Sequence, residues 1–254
     1  MLKELTPIMN RIFFIREDYS TPGHIIKSVK LLSDHFKVDR EYLSDYLSVL
    51  RFSKRWKIAT MVADLQVWES NFTKIYSTGT YNIVKLTKEA FLGCTSKEEI
   101  DSLRGAIVEA IIIGCFEGHE NLKFENFGWG ASVNIREDDT ETQLKYLCSE
   151  RVKNECDNRL TVDFGYWDGK HGQFFECKVE PKAIGCKEVN YMKYLKEELR
   201  KRGFSHEIFF VSPKPESAIL LQLDNYDLGP TFKPFGINSM REILKQKQKL
   251  KKCV

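Results

Sequence analysis

The sequence predicts an α/β fold, with a mostly helical region over residues 1–95 followed by a core of helices and strands over residues 96–215. Three observations support this prediction. An apolar helix begins near residue 96, two short apolar runs at residues 160–179 read as a hairpin, and a helix and a strand follow between residues 187 and 212. Residues 216–254 form a C-terminal extension with a basic tail.

Composition is that of an ordinary globular protein. The chain has 254 residues, of which 42% are apolar and 30% charged, and its formal net charge is +3. A charge this small is only a mild indication of a nucleic-acid partner. Since no apolar run reaches transmembrane length and the N-terminus lacks the organisation of a signal peptide, we expect a cytoplasmic protein without membrane contact.

Cysteine usage agrees with a reducing compartment. The seven cysteines are odd in number and include no C-x-x-C pair. This pattern argues against a disulfide framework and against a zinc site. Reduced thiols, most of them in apolar runs, are the expected state.

The N-terminal region carries amphipathic segments at helical spacing. His24 to Phe36 and Arg40 to Leu50 predict two helices, and Arg51 to Trp68 predicts a continuation. A basic cluster at the start of that continuation fits either contact with a nucleic-acid backbone or a solvated helix face; it comprises Arg51, Lys54, Arg55 and Lys57. The region also offers a surface for a homodimer or a protein partner.

The core is predicted to open with a long helix. Ser96 and Glu99 have capping-box spacing, and the apolar pattern continues to about Phe116. Within its most apolar part, residues 104–114, Glu109 is almost the only charge, and a buried carboxylate is costly unless it is paired or bound to a metal. The alternative is a partly exposed Glu109 that pairs with a surface cation.

The segment after this helix predicts the first core strand. Asn121 to Ile135 is apolar and broken by glycines, which indicates a strand or a hairpin. Arg136 to Asn158 is highly charged and contains a short helical pattern from Thr142 to Lys153. Its acidic residues are interpreted as a solvated loop.

The two runs Leu160 to Tyr166 and Gln173 to Val179 predict a hairpin. If the hairpin closes at Tyr166 and Gln173, Asp163 lies across from Glu176, on the same side of the sheet as Lys178. Opposed carboxylates repel unless a cation or a proton lies between them. Mg²⁺ takes one or two carboxylates, and a neighbouring lysine could orient a metal-bound water, as phosphodiester hydrolysis requires.

The elements after the hairpin complete the predicted core. Lys187 to Arg202 is an amphipathic basic helix, and His206 to Ser212 is a buried type of strand. Ile219 to Leu223 could add a further strand, and Ser239 to Lys252 has the pattern of a basic helix or tail.

Asp163, the hairpin and Glu176-Cys177-Lys178 together resemble the D…(D/E)-x-K signature of the PD-(D/E)xK nuclease superfamily, with Val162 where a proline usually stands. The order of elements resembles its restriction-endonuclease-like αβββαβ core, which has a mixed sheet. The resemblance implies that Asp163, Glu176 and the main-chain carbonyl of Cys177 bind Mg²⁺, for which Mn²⁺ could substitute. It also implies that Lys178 positions the attacking water and that Glu109, on the preceding helix, is a third carboxylate.

The resemblance extends faintly to the basic helix. Asn190 and Tyr194 have the spacing of the Q-x-x-x-Y element of some members, with asparagine in place of glutamine; an exposed Asn and a packing Tyr are the alternative. Lys182 and Lys187 are assigned as candidate phosphate contacts.

Together these patterns predict a metal-dependent endonuclease that acts on DNA rather than RNA, with restriction or anti-phage defence as the expected setting. The choice of DNA comes from the resemblance alone. Two alternatives stay open: a nuclease-fold subunit that binds nucleic acid or a partner protein and is inactive alone, and a structural protein in which the charged trio is a surface salt bridge.

Overall fold

A computed structural model of the chain describes residues 11–17, 21–39, 41–74, 80–147 and 160–243. The predicted basic helix or tail, Ser239 to Lys252, is described only up to residue 243, where residues 237–243 are helical; the rest of it lies outside these residues. The described chain forms a mixed seven-stranded sheet with helices packed on both faces, which confirms the mixed α/β class.

The sheet contains both antiparallel and parallel pairs. Its strands are β1 (Arg11–Arg16), β2 (Phe127–Glu137), β3 (Thr140–Gln143), β4 (Thr161–Trp167), β5 (His171–Cys177), β6 (Ser205–Val211) and β7 (Lys233–Phe235). Their order is β1-β2-β4-β5-β6-β7, and β3 pairs with β2 off this path. Pairing is antiparallel from β1 to β5 and parallel from β5 to β7.

Helices account for most of the remaining described residues. They are α1 (Gly23–Val38), α2 (Leu43–Tyr46), α3 (Ser48–Ser53), α4 (Met61–Thr73), α5 (Tyr81–Leu92), α6 (Lys97–Cys115), α7 (Cys186–Lys201) and α8 (Glu216–Asp224). The described helices include none whose length and apolarity would let it span a bilayer.

Two apolar cores enclose the sheet. On one face, α6 and the helices before it pack against Phe164 and Phe175. On the other face, α7 and α8 pack against Phe174 and Phe210. Because helices cover both faces of the sheet, apolar residues occur at successive strand positions. Each fully buried Leu or Phe side chain stabilises the folded state by about 1.5–3 kcal/mol.

Strand alternation is interrupted beside the predicted site. Regular alternation along a strand would place Val162 and Phe164 on one face of the sheet, but they belong to opposite cores. Trp129 and Ala131, their neighbours on β2, divide in the same way. Gly130 lies between those two with φ of +55°, in the left-handed region that favours glycine, and the change of face coincides with this irregular position.

The N-terminal region is joined closely to the core. β1 pairs along its whole length with residues 131–136 of β2, although the region was predicted to be mostly helical. α1 packs against α6 where Gly114 meets Phe36. One sheet and one apolar core therefore extend across residue 95.

Two predictions for short segments after residue 140 were wrong. Thr142 and Gln143 lie in β3, which forms a tight hairpin with β2, so the predicted helix from Thr142 does not start there. Ile219 to Leu223 lies in α8 rather than in a strand. A short apolar run does not by itself distinguish a strand from a buried helix, so the sequence pattern alone could not settle the structure of this segment.

The predicted continuous helix from Arg51 to Trp68 is broken. α3 ends at Ser53 and α4 begins at Met61. Between them, Trp56 is buried with its ring edge-on to Phe91, at a centroid distance of 4.9 Å. The helix is interrupted at the segment that buries this large ring, and burial of an aromatic side chain is a sizeable favourable contribution to folding.

Candidate active site

The β4–β5 hairpin has the predicted register. Tyr166 pairs with Gln173, and the ladder runs to the pair of Phe164 and Phe175. Asp163 lies one residue beyond that last pair. Its Oδ2 atom accepts a hydrogen bond from the backbone N–H of Cys177 at 2.6 Å, so the side chain is held at the ends of both strands.

Lys178 joins two buried carboxylates. Its Nζ atom lies 2.8 Å from Oε1 of Glu176 and 3.1 Å from Oε1 of Glu188. The side chain of Glu176 is 0% exposed and that of Glu188 is 2% exposed. Buried charges persist only when they are paired, so this ion triad is a tightly constrained feature.

Glu188 is held by the start of α7. Its Oε2 atom accepts a hydrogen bond from the backbone N–H of Gly185 at 3.0 Å, as the third residue of a capped helix does. One carboxylate therefore caps the helix and also fixes the ammonium of Lys178.

Glu109 reaches the site from α6, the helix that packs on the opposite face of the sheet from α7. Its Oε2 atom accepts a hydrogen bond from Nε1–H of Trp129 at 2.6 Å. Burial, reinforced by the negative charge of Asp163, raises the pKa of Glu109 to about 8. At neutral pH without a metal, Glu109 therefore retains its proton.

A cleft of about 720 Å³ opens over these residues. Glu109, Asp163 and Lys178 line it on the core side. Pro22, Ile25 and Lys54 line it from the N-terminal helical region. Both regions thus form the walls of one cleft that is accessible to solvent.

The acidic surplus suits a divalent cation. Glu176 and Glu188 pair with the ammonium of Lys178, and the negative charge of Asp163 adds to the burial that raises the pKa of Glu109. Asp163 and Glu176 supply the one or two carboxylates that Mg²⁺ usually takes from a protein. These residues therefore fit a Mg²⁺ ion, although no three of the acidic residues of the site bring one carboxylate oxygen each within 4.8 Å of one another. Among the described residues, the one set of three ligand atoms that meets this distance belongs to His24, Cys94 and Glu99.

The candidate phosphate contacts divide into two groups. Lys182 is exposed and lines the cleft. Lys187 is exposed, with its Nζ atom 4.0 Å from Glu188. Asn190 and Tyr194 are half-buried on α7, and the ring of Tyr194 packs against Tyr146 at 6.0 Å. Of these four residues, only Lys182 is among the described residues that line the cleft.

Sequence reasoning missed two contributors to the site. Glu188 has the sequence context of an ordinary charged helix start, although the Gly185–Glu188 spacing was a signal of a cap. Trp129 bonds Glu109 and also stacks under the guanidinium of Arg16, 4.3 Å from its ring centroid. Long-range packing brings these partners together.

Comparisons with known proteins identify no family. No protein-family model matches the chain, and no curated protein matches it. Among solved structures, the crystal structure of protein VC1899 from Vibrio cholerae is similar, with a TM-score of 0.38 and 12% sequence identity. The alignment covers 95% of this chain and 58% of that protein, so the chain spans less than two thirds of its length.

Stability of the metal-free protein is expected to fall as pH rises towards 8. The folded state holds a proton on Glu109 from its ordinary pKa of 4.5 up to about 8, whereas the unfolded state releases it near 4.5. The free energy of unfolding therefore decreases across that window. Urea unfolding in EDTA at several pH values measures this slope, which should be smaller in Glu109→Gln. An equal slope in the variant would contradict the assignment.

Removing the Glu188 carboxylate is expected to destabilise the fold. Glu188→Ala loses a helix cap and leaves Lys178 with one fewer partner, so the free energy of unfolding should fall by about 2–4 kcal/mol. Glu197→Ala is the matched control, because Glu197 is an exposed residue of α7 whose carboxylate pairs with the exposed Arg200. Its effect should stay within about 0.5 kcal/mol in the same urea experiment.

Proposed function

We propose that the chain is a Mg²⁺-dependent nuclease with a restriction-endonuclease-like core of the PD-(D/E)xK type. One observation carries the proposal: Asp163 and Lys178 lie at the ends of two adjacent strands and, with Glu109, line a cleft open to solvent, while the buried Glu176 pairs with Lys178 behind it. The order α6-β2-β4-β5-α7-β6 supports it as well.

Asp163, Glu176 and the main-chain carbonyl of Cys177 are the residues that would hold the cation. When bound, Mg²⁺ supplies a more acidic water and offsets the negative charge of a phosphodiester. Lys178 adds a fixed ammonium that can orient water and stabilise charge on a phosphate oxygen. Glu109 enters as a protonated acid and would ionise when a cation approaches, since a nearby positive charge lowers a carboxyl pKa.

Cations on the walls would contact the nucleic-acid backbone. Lys54 from the helical region and Lys182 from the core lie on the same cleft. Their charges are suited to phosphate oxygens and carry no information on base sequence. DNA is the proposed substrate on the strength of the sequence resemblance, and RNA is kept as an arm of the test.

The pairing of Lys178 with Glu188 favours one alternative. An ammonium held by two carboxylates is not available to substrate until one contact is released. A nuclease-fold subunit that is inactive alone, and that is activated by nucleic acid or a partner protein, would show this resting state. The helical N-terminal region is the proposed surface for such a partner or for a homodimer.

The test is incubation of the purified protein with supercoiled plasmid, linear duplex DNA, single-stranded DNA and RNA, in Mg²⁺, Mn²⁺ or EDTA. Cleavage that depends on the metal supports the nuclease and identifies its substrate. Cleavage that persists in EDTA would contradict the proposal. Absence of cleavage together with Mn²⁺ binding by calorimetry would favour the inactive subunit.

A further inference from the structure

A second group of metal-ligating side chains lies apart from the cleft. His24 is in the first turn of α1, Cys94 follows α5, and Glu99 is in the first turn of α6. One ligand atom from each lies within 4.8 Å of the other two. None of the three is among the described residues that line the cleft.

The imidazole of His24 is the most informative member. Its Nε2 atom is buried and has no hydrogen-bond partner among the residues that the structure describes. The Oε2 atom of Glu99 lies 3.8 Å away, which is beyond hydrogen-bond distance. A buried polar atom without a partner carries a desolvation cost, and in native proteins such an atom calls for an explanation.

The other two ligands are placed by local structure. Cys94 is 5% exposed, and burial with the nearby Glu99 charge raises the pKa of its thiol to about 11. Glu99 is held at the start of α6, because its Oε2 atom accepts hydrogen bonds from the backbone N–H and the hydroxyl of Thr95. A carboxylate has about four lone-pair positions, so Glu99 can keep these bonds and still coordinate a cation.

We propose that His24, Cys94 and Glu99 form a Zn²⁺ site. Imidazole, thiolate and carboxylate are all Zn²⁺ ligands, whereas the hard cations Mg²⁺ and Ca²⁺ prefer oxygen. Ligand distances of about 2.0–2.3 Å around Zn²⁺ require the three atoms to close by at least a few tenths of an ångström. A water molecule would complete the tetrahedral shell that Zn²⁺ prefers.

The bound ion would connect α1 to the start of α6. These helices pack on one another, and α6 carries Glu109 into the proposed active site. An ion that binds only the folded state stabilises it by mass action. The ligands come from three separate elements, which is why the absence of a C-x-x-C pair led the sequence prediction away from zinc.

Cobalt spectroscopy of the full chain tests the proposal. The metal-free protein is titrated with Co²⁺, and we expect one tetrahedral Co²⁺ per chain with a thiolate charge-transfer band that Zn²⁺ removes. Cys94→Ser should lose the band, and His24→Gln should weaken Zn²⁺ binding by at least about a hundredfold. Cys115→Ser is the matched control, since Cys115 is another buried cysteine of this region, and it should keep the band.

Two further measurements keep the proposal falsifiable. Asp163→Asn should also keep the band, which separates this site from the acidic cleft beside Cys177. X-ray absorption of the zinc-loaded wild type should show one sulfur ligand, and this result does not depend on a variant that folds. Zinc bound without sulfur, or a band that survives in folded Cys94→Ser, would overturn the proposal, whether or not the protein cleaves nucleic acid.

Discussion

Asp163→Asn is expected to lower the rate of metal-dependent cleavage about a thousandfold or more. Asparagine keeps an oxygen that can accept the hydrogen bond from the Cys177 N–H, so the strand ends should stay in place. The substitution removes the negative charge that a Mg²⁺ ion needs. Loss of several kcal/mol of transition-state stabilisation corresponds to that factor, because each 1.4 kcal/mol is about tenfold.

Asp168→Asn is the matched control on the same hairpin. Asp168 is exposed and accepts hydrogen bonds from the backbone N–H groups of Lys170 and His171 at 2.8 Å and 2.6 Å. Asparagine preserves these bonds too, so activity should stay within about twofold of the wild type. Cleavage rates and Mn²⁺ affinity are measured for both variants. Full activity in Asp163→Asn would remove this residue from the mechanism.

Asp163 is preferable to Lys178 for this test. Lys178→Ala would remove the ammonium that Glu176 and Glu188 share and leave both carboxylates buried. Breaking a buried ion pair in this way costs about 3–5 kcal/mol. Lost activity in that variant would therefore confuse catalysis with folding, unless its stability is measured alongside.

Gly114→Ala is expected to be among the most destabilising single methyl additions. A Cβ atom at Gly114 would lie 2.7 Å from Cβ of Phe36 and 2.9 Å from the carbonyl oxygen of Ser33. The second atom belongs to the backbone of α1, which cannot rotate aside as a side-chain tip can. Separating α1 from α6 should lower the free energy of unfolding by about 3 kcal/mol.

Gly105→Ala provides the opposite expectation on the same helix. A Cβ atom there meets nothing within 4 Å. Alanine has the higher helix propensity, so the free energy of unfolding should rise by about 0.5–1 kcal/mol. Urea denaturation of both variants at one pH makes the comparison. Equal effects of the two substitutions would show that the helix crossing is not as close as described.

The hairpin was the most predictable part of the site. Its register follows from two apolar runs and a polar turn, and the structure pairs Tyr166 with Gln173 as expected. The helices α6 and α7 follow from long periodic patterns, and their observed bounds differ from the predictions by about one residue at each end. Periodic apolar patterns of this kind are local, so they predict an element without knowledge of its tertiary contacts.

Other features depend on contacts that sequence spacing does not reveal. β1 is a six-residue run whose partner, β2, lies more than a hundred residues later. Glu188 looks like a surface charge until Lys178 is brought beside it from another element. Trp56 interrupts a plausible helix because a buried aromatic partner, Phe91, is available. In each case tertiary packing overrides local propensity.

The position of β1 also has a consequence for protein synthesis. The first described strand leaves the ribosome long before residues 131–136, with which it pairs. During that interval its backbone edge is unsatisfied, and an exposed strand edge is a site of mispairing between chains. A nascent chain that pauses before β2 should therefore be prone to aggregation. A gene fragment starting at residue 96 would lack both β1 and the α1 helix that packs on α6.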